Sequence, residues 1–240
     1  MKWWSEVQPG DSLRVVFFQV DLSGHSRWTR VAKSKYATAE KRTEFSYKLN
    51  NILHQVGFDC LYWLGDGGLF ARRFQRKFDA EQICEAAKRT FRWFGNWLRK
   101  HQLEDSGLSI RVSGAFDYSV IVDPGPGNWF STEMNLFLKY ERDLAYPNAF
   151  VITGELREEM DPQGPEGELF EKNYYVELPV VPKLAKKMWV HRDYPMKIKE
   201  SPRHFGSWLS RQKIAGALPA GFYEEAEVEP WWQVGSGRHS

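Results

Sequence analysis

The chain has 240 residues, 42% of them hydrophobic and 27% charged, with a formal net charge of +2. That balance is ordinary for a soluble globular protein, and it provides no field to draw nucleic acid or an anionic membrane. The two cysteines, Cys60 and Cys84, lie in neither a CxxC nor a zinc-like spacing, which predicts reduced, structural thiols rather than a disulfide or zinc scaffold.

Aromatic residues make up 15% of the chain, including 11 Trp, and predict a well-buried core. The six histidines form no HxxxH or HExxH pattern. No apolar run approaches a membrane span, and "MKWWSEVQPGDS" is not a signal peptide. The expected location is the cytoplasm.

The first element is "LRVVFFQVD", a continuous apolar run rich in β-branched and aromatic residues. It reads as a central strand buried on both faces, ending at Asp21. "LSGHS" follows as a turn. A helical pattern then runs from about Trp28 to Gln55, with Phe45, Leu49, Ile52 and Val56 on one stripe and Gly57 as its stop. "CLYWLGDGGLF" reads as a hairpin with Asp66 at its tip, and Gly65, Gly67 and Gly68 are expected to let the backbone turn.

A second helix begins near Asp79, read as its N-cap, with Ile83, Ala87, Phe91, Phe94 and Leu98 as the apolar stripe. "LSIRVSGAFDYSVIV" alternates as a long strand, with Ile110, Val112 and Gly114 on one side and Arg111 and Ser113 on the other. After the loop "DPGPGN" come a Ser- or Thr-capped helix over "STEMNLFLKYERDLA", a short strand "AFVIT", a short helix "GELREEM", and a last strand "LFEKNYYVEL". The order predicts an α+β fold with a ferredoxin-like βαββαβ core. The expected domain spans residues 8–178. Residues 179–240 lack comparable regularity and read as a C-terminal extension packing on the domain, with "GSGRHS" disordered.

In a ferredoxin-like sheet the end of the first strand and the tip of the hairpin lie side by side. Asp21 and Asp66 then converge, and two carboxylates there suit a pair of hard cations. The turn Leu22, Ser23, Gly24, His25 and Ser26 offers backbone amides at a helix start, which suits a triphosphate.

These stretches carry a family resemblance. "FFQVDLSGHS" resembles the first strand and turn of the class III nucleotidyl cyclase catalytic domain, and "LYWLGDGGLFA" its metal-binding hairpin. "IRVSGAFDYSVIV" and "NWFSTEMNLFLKYERDLAYPNAFVIT" resemble its long strand and the loop, helix and strand that follow, so that the likeness spans about Arg14 to Leu178. The resemblance implies that the 3′-hydroxyl of a nucleoside triphosphate attacks its own α-phosphate and releases pyrophosphate. It implies two divalent cations, Mn²⁺ or Mg²⁺, held by Asp21, Leu22 and Asp66. It also implies a homodimer with active sites at the interface, complete when two chains meet.

Carried over by position, the transition-state Asn falls on Asn135 and the following Arg position on Lys139, a departure that loses the planar guanidinium. Arg142 shares their helix face and either supplies that guanidinium or belongs to a solvated surface. Lys172 resembles a lysine that contacts the distal phosphates, or is an exposed strand lysine. The base pocket departs furthest: Tyr62 stands where purine cyclases carry Lys, and Asn128 where adenylate cyclases carry Asp. The bulk of Tyr62 favours a smaller base. Arg111 either reaches a pyrimidine carbonyl or is a strand-surface arginine.

This pattern resembles the bacterial pyrimidine cyclases of Pycsar anti-phage defence, with UTP favoured over CTP as substrate. A purine cyclase and a non-catalytic, nucleotide-binding cyclase-like module remain as alternatives.

Overall fold

The computed structural model describes residues 4, 7–122, 129–135, 149–160, 175–181 and 186–195. Eight strands occur among them: β1 (Ser12–Ser23), β2 (Asp59–Leu64), β3 (Gly67–Arg73), β4 (Ser109–Val122), β5 (Trp129–Phe130), β6 (Ala149–Thr153), β7 (Tyr175–Val181) and β8 (Lys186–Pro195). The helices are α1 (His25–Val31), α2 (Lys35–His54), α3 (Lys77–Lys100) and α4 (Gly154–Glu159). One sheet contains all the strands in the order β2-β3-β1-β4-β6-β8-β7, with β5 paired to β4. Its first four strands have the order and antiparallel pairing of a ferredoxin-like core, as the sequence predicts.

β1 is central because both its edges and both its faces are occupied. Val16, Phe18, Val20 and Leu22 pack into the main core with Phe45 and Leu49 of α2 and Phe91 and Phe94 of α3. Val15 and Phe17, on the opposite face, are also fully buried. The aromatic richness is spent mainly between α2 and α3: the Phe45 ring meets those of Trp93, Trp97 and Phe94, with centroids 5.2, 5.5 and 6.4 Å away. Gly114 on β4 sets how closely α3 can approach. A Cβ there would come within 2.1 Å of the Ile83 side chain.

The structure corrects four expectations. β1 does not stop at Asp21 but continues to Ser23, because its last residues still pair with β4. The single helix expected from Trp28 to Gln55 is two helices. α1 ends at Val31, Ala32 turns to extended backbone, and Ser34 caps α2 by accepting the Ala37 N–H at 3.2 Å. Asp79 is not the N-cap of α3, since Arg76 occupies that position. The chain beyond residue 179 is not without regular structure, because β8 inserts between β6 and β7. Residues 196–240 lie outside the described residues.

Asp79 ties the hairpin to α3. Its carboxylate accepts the N–H groups of Gln75 and Arg76, each at 2.9 Å, and the Arg72 guanidinium at 2.9 and 2.7 Å. Arg72 also donates to the Val56 carbonyl, at the end of the α2 connection. Burial by itself would raise the Asp79 pKa, but the Gln75 and Arg76 amides and Arg72 outweigh it, and the carboxyl sits below its usual range. A depressed carboxylate contributes stability above its unfolded-state pKa of about 4 and loses it as the pH falls through the folded value. Asp79→Asn is therefore expected to cost roughly 2 kcal/mol at pH 7 in urea unfolding, since charged hydrogen bonds are lost from a buried site. The difference from wild type should shrink as the pH falls below about 4.

Candidate functional site

The site begins where β1 leaves the sheet. Asp21 pairs across the sheet with Gly67 of β3 on one side and Arg111 of β4 on the other. The Leu22 N–H donates to the Asp66 carbonyl at 3.2 Å, which locks the strand end to the hairpin tip. The expected juxtaposition of Asp21 and the Asp66 turn is therefore present.

The three hairpin glycines do different work from that expected. Only Gly65 has positive φ, at 61°, and makes the turn. Gly67 and Gly68 are strand residues that make room. A Cβ on Gly67 would lie 3.4 Å from Asp21 Oδ1, and one on Gly68 would meet the Phe70 and Trp63 rings at 2.9 and 3.0 Å.

Each carboxylate has a partner. Arg111 Nη1 donates to Asp21 Oδ2 at 2.6 Å, and both side chains are largely buried, at 19% and 10% exposure. Asp66 Oδ2 lies 3.5 Å from His25 Nδ1. Burial lowers the His25 pKa, Arg42 acts in the same direction, and Asp66 and Asp21 oppose them without prevailing. The net effect favours the neutral imidazole. Arg42 of α2 donates to the Gly65 carbonyl and so holds the tip from the helix side. A pocket of about 60 Å³, lined by Leu22, Arg42, Trp63, Gly65 and Asp66 among others, lies against the tip. It has room for ordered water.

Leu22 and Ser23 belong to β1 rather than to the turn, and the Leu22 amide is already committed to Asp66. Gly24 makes the turn, with φ 85°, and a Cβ there would stand 2.7 Å from the Gly107 carbonyl oxygen. His25 and Ser26 open α1, and His25 rests against the Trp28 ring with centroids 5.8 Å apart.

Tyr62 is half-buried on β2, opposite Leu69. Alternation puts it on the sheet face away from the helices, the face of Asp21 and Arg111. Trp63 takes the helix face, packing against Phe45 and donating its indole N–H to Asn50 Oδ1 at 2.9 Å.

Asn135 is exposed, in helical backbone over the described residues 132–135. Ser131 caps that turn by accepting the Met134 N–H at 3.0 Å, as its position in the sequence predicts. The Ser131 hydroxyl is in turn held by Asp117 Oδ2 at 2.6 Å, while Asp117 Oδ1 accepts the Ser119 N–H. Sequence reasoning missed Asp117. A lone acidic residue inside an apolar strand was the available signal. Asn128, Lys139, Arg142 and Lys172 lie outside the described residues.

The donor set suits hard cations. Asp21 and Asp66 are oxygen donors, and the position beside Asp21 already carries a positive charge, that of Arg111. Among the described residues no group of three or more His, Cys, Asp or Glu side chains could enclose a metal. Further oxygen ligands would have to come from main chain, water or phosphate. No helix among the described residues is long and apolar enough to cross a membrane.

Neither a protein-family model nor a curated protein sequence matches the chain. Solved structures do. The adenylyl cyclase CyaB from P. aeruginosa is 15% identical, with a TM-score of 0.57 over 77% of this chain and 96% of that one. An adenylate/guanylate cyclase/hydrolase from Silicibacter pomeroyi is 14% identical, with a TM-score of 0.54 over 75% and 97%. The dimeric guanylyl cyclase domain of the RhoGC fusion protein from Blastocladiella emersonii is 15% identical, with a TM-score of 0.51 over 77% and 97%. The likeness is one of fold: the chain has the mixed α+β architecture of class III cyclase catalytic domains.

The β1–α1 turn yields a test of the local geometry. Gly24→Ala adds a side chain at positive φ and against a backbone carbonyl. It is expected to lower stability by at least about 1 kcal/mol, read in urea unfolding. Ser26→Ala, on the exposed first turn of α1, should leave stability within about 0.5 kcal/mol of wild type.

Proposed function

We propose that this chain is a nucleotidyl cyclase that converts a pyrimidine nucleoside triphosphate, UTP in preference to CTP, into its 3′,5′-cyclic monophosphate and pyrophosphate. The observation that carries the reading is the Leu22 N–H bond to the Asp66 carbonyl, which locks the strand end beside Asp21 to the hairpin tip, within a sheet whose fold is shared with class III cyclase domains. In the reaction a bond forms between O3′ and the α-phosphorus, the bond from that phosphorus to the leaving pyrophosphate breaks, and the hydroxyl proton is released to solvent or to the departing pyrophosphate. Divalent cations, Mn²⁺ or Mg²⁺, supply the charge that activates the hydroxyl and neutralises the leaving group when bound.

The chain's own residues provide the frame. Asp21 and Asp66 hold the cations, with Leu22 contributing main chain beside them. Arg111 neutralises Asp21, so that a buried carboxylate does not stand alone. The amides of Gly24, His25 and Ser26 face the phosphates, with burial lowering the His25 pKa against the pull of Asp66. Asn135 sits on a turn anchored through Ser131 to Asp117 and acts on the transition state with Lys139 or Arg142, from the second chain of a homodimer. Lys172 meets the distal phosphates. Tyr62 and Asn128 frame the base, and the size of Tyr62 supports a pyrimidine. The cyclic product would signal to a separate effector in anti-phage defence.

A purine cyclase is the second reading, favoured by the adenylyl and guanylyl cyclases that share the fold. Incubation with Mn²⁺ and each of ATP, GTP, CTP and UTP, read by mass spectrometry, separates the two. Cyclic UMP or cyclic CMP is expected. A product from ATP or GTP alone would overturn the base assignment, and no product from any would overturn the enzyme. Asp21→Ala and Asp66→Ala should each lower turnover by roughly 10³-fold or more with the fold retained.

A further inference from the structure

One buried polar group on the sheet face of Tyr62 and Arg111 is left unexplained by the fold. Gln19 lies on β1 between Leu69 of β3 and Ser113 of β4. Its neighbours Phe18 and Val20 point into the helix-packed core, so its side chain points to the opposite face. The residue is only 5% exposed. Among the described residues its amide oxygen, Oε1, is buried with no hydrogen-bond partner. An acceptor left in that state costs about 1–3 kcal/mol, and a Leu or Val at this central strand position would avoid the cost.

The surroundings point to what would satisfy it. Tyr62 pairs with Leu69, which pairs with Gln19, so the three residues form one cross-strand row. Arg111 lies diagonally across β4 from Gln19, on the same face, about 7–8 Å away as such neighbours stand in a sheet. Its Nη1 is spent on Asp21, but its Nε–H is buried and meets no acceptor among the described residues. Within one row and its diagonal the face thus offers an aromatic ring, an unused acceptor and an unused donor. A flat heterocycle with a ring N–H beside a carbonyl would satisfy both polar atoms while lying against the ring. Tyr62 and Arg111 keep partial exposure and mark the open side of the row.

We infer that Gln19 reads the base: its amide oxygen accepts the ring N–H of the nucleotide, and Arg111 Nε–H donates to the neighbouring carbonyl. This rests on the nucleotide-cyclase reading and deepens it. The orphaned acceptor is the unliganded form of a base contact. Uracil, whose N3–H lies between two carbonyls, matches the pair in either orientation about that edge.

Gln19→Met tests the inference, since it keeps the length of the side chain and removes both its donor and its acceptor. Gln19→Leu is a second apolar variant should Met pack poorly. KM and kcat are measured for UTP, CTP, ATP and GTP with Mn²⁺, together with Tm in the absence of nucleotide. The expected result is a KM for the preferred triphosphate raised about tenfold or more, with kcat little changed and a weaker preference among the bases. Tm should be equal to or above that of wild type, because an unsatisfied acceptor has been removed. Unchanged KM values and base preference would overturn the role of Gln19. So would a lower Tm with all four substrates affected alike, which is the signature of a structural residue. If wild type prefers a purine, the pyrimidine reading fails, while the change in preference still reports on Gln19. If wild type turns over none of the four, the cyclase reading fails, and calorimetric affinities decide the contact: equal affinities in wild type and variant, or no binding to either, overturn it.

Discussion

The site depends on the register of β1 between two antiparallel neighbours. Pairing with Gly67 and Arg111 fixes Asp21 on the sheet face away from the helices, and the Leu22 N–H then reaches the Asp66 carbonyl. A slip of one residue would turn Asp21 into the helix-packed core and bring Leu22 out. Both faces of β1 resist that slip. The row Val16, Phe18, Val20 and Leu22 fills the core against α2 and α3, and Val15 and Phe17 are buried on the other side. Precision at the candidate site is thus supplied by hydrophobic burial along the strand that carries it.

That burial also raises the cost of polar groups at the same strand end. Asp21 and Arg111 offset each other through a 2.6 Å contact. Such a pair contributes little net stability when intact and costs several kcal/mol when one member is removed. Gln19 has no such offset for its amide oxygen among the described residues. A sheet designed only to be stable would place apolar residues at these positions. Some buried polar groups elsewhere are satisfied among the described residues, since Asp79 gathers two backbone amides and Arg72 and Ser131 is both a cap and a partner of Asp117, while Thr90 Oγ1 and Trp97 Nε1 are not.

Much of this frame was legible in the sequence because its signals were redundant. The apolar run before Asp21, the glycines around Asp66 and the alternation of Ile110 to Gly114 each point to strands, and their order gives the ferredoxin-like core. The Ser131 cap also followed from capping preferences. Where a single residue decided the outcome, the sequence was silent or misleading. Ser34 alone separates α1 from α2 in a run without Gly or Pro. Gly57 and Asp79 both looked like helix punctuation, but Asp79 acts three residues inside, as an acceptor for the amides before α3. β8 carries charged residues along its length and is defined by antiparallel pairing with its sequence neighbour β7 and with the more distant β6. Gln19 and Asp117 each stand singly in apolar strands. Their importance rests on partners that only the folded sheet identifies.

The central claim is that Asp21 and Asp66 together form one cation site for a triphosphate. The most direct measurement is the electron paramagnetic resonance signal of free Mn²⁺, titrated with the protein in the presence of 3′-deoxy-UTP, which cannot cyclise. The account predicts that wild type depletes the free Mn²⁺ signal, and that Asp21→Asn and Asp66→Asn each lose most of that binding while unfolding cooperatively. Retention of full Mn²⁺ binding by either variant would contradict it, since the carboxylate removed would then not be a ligand.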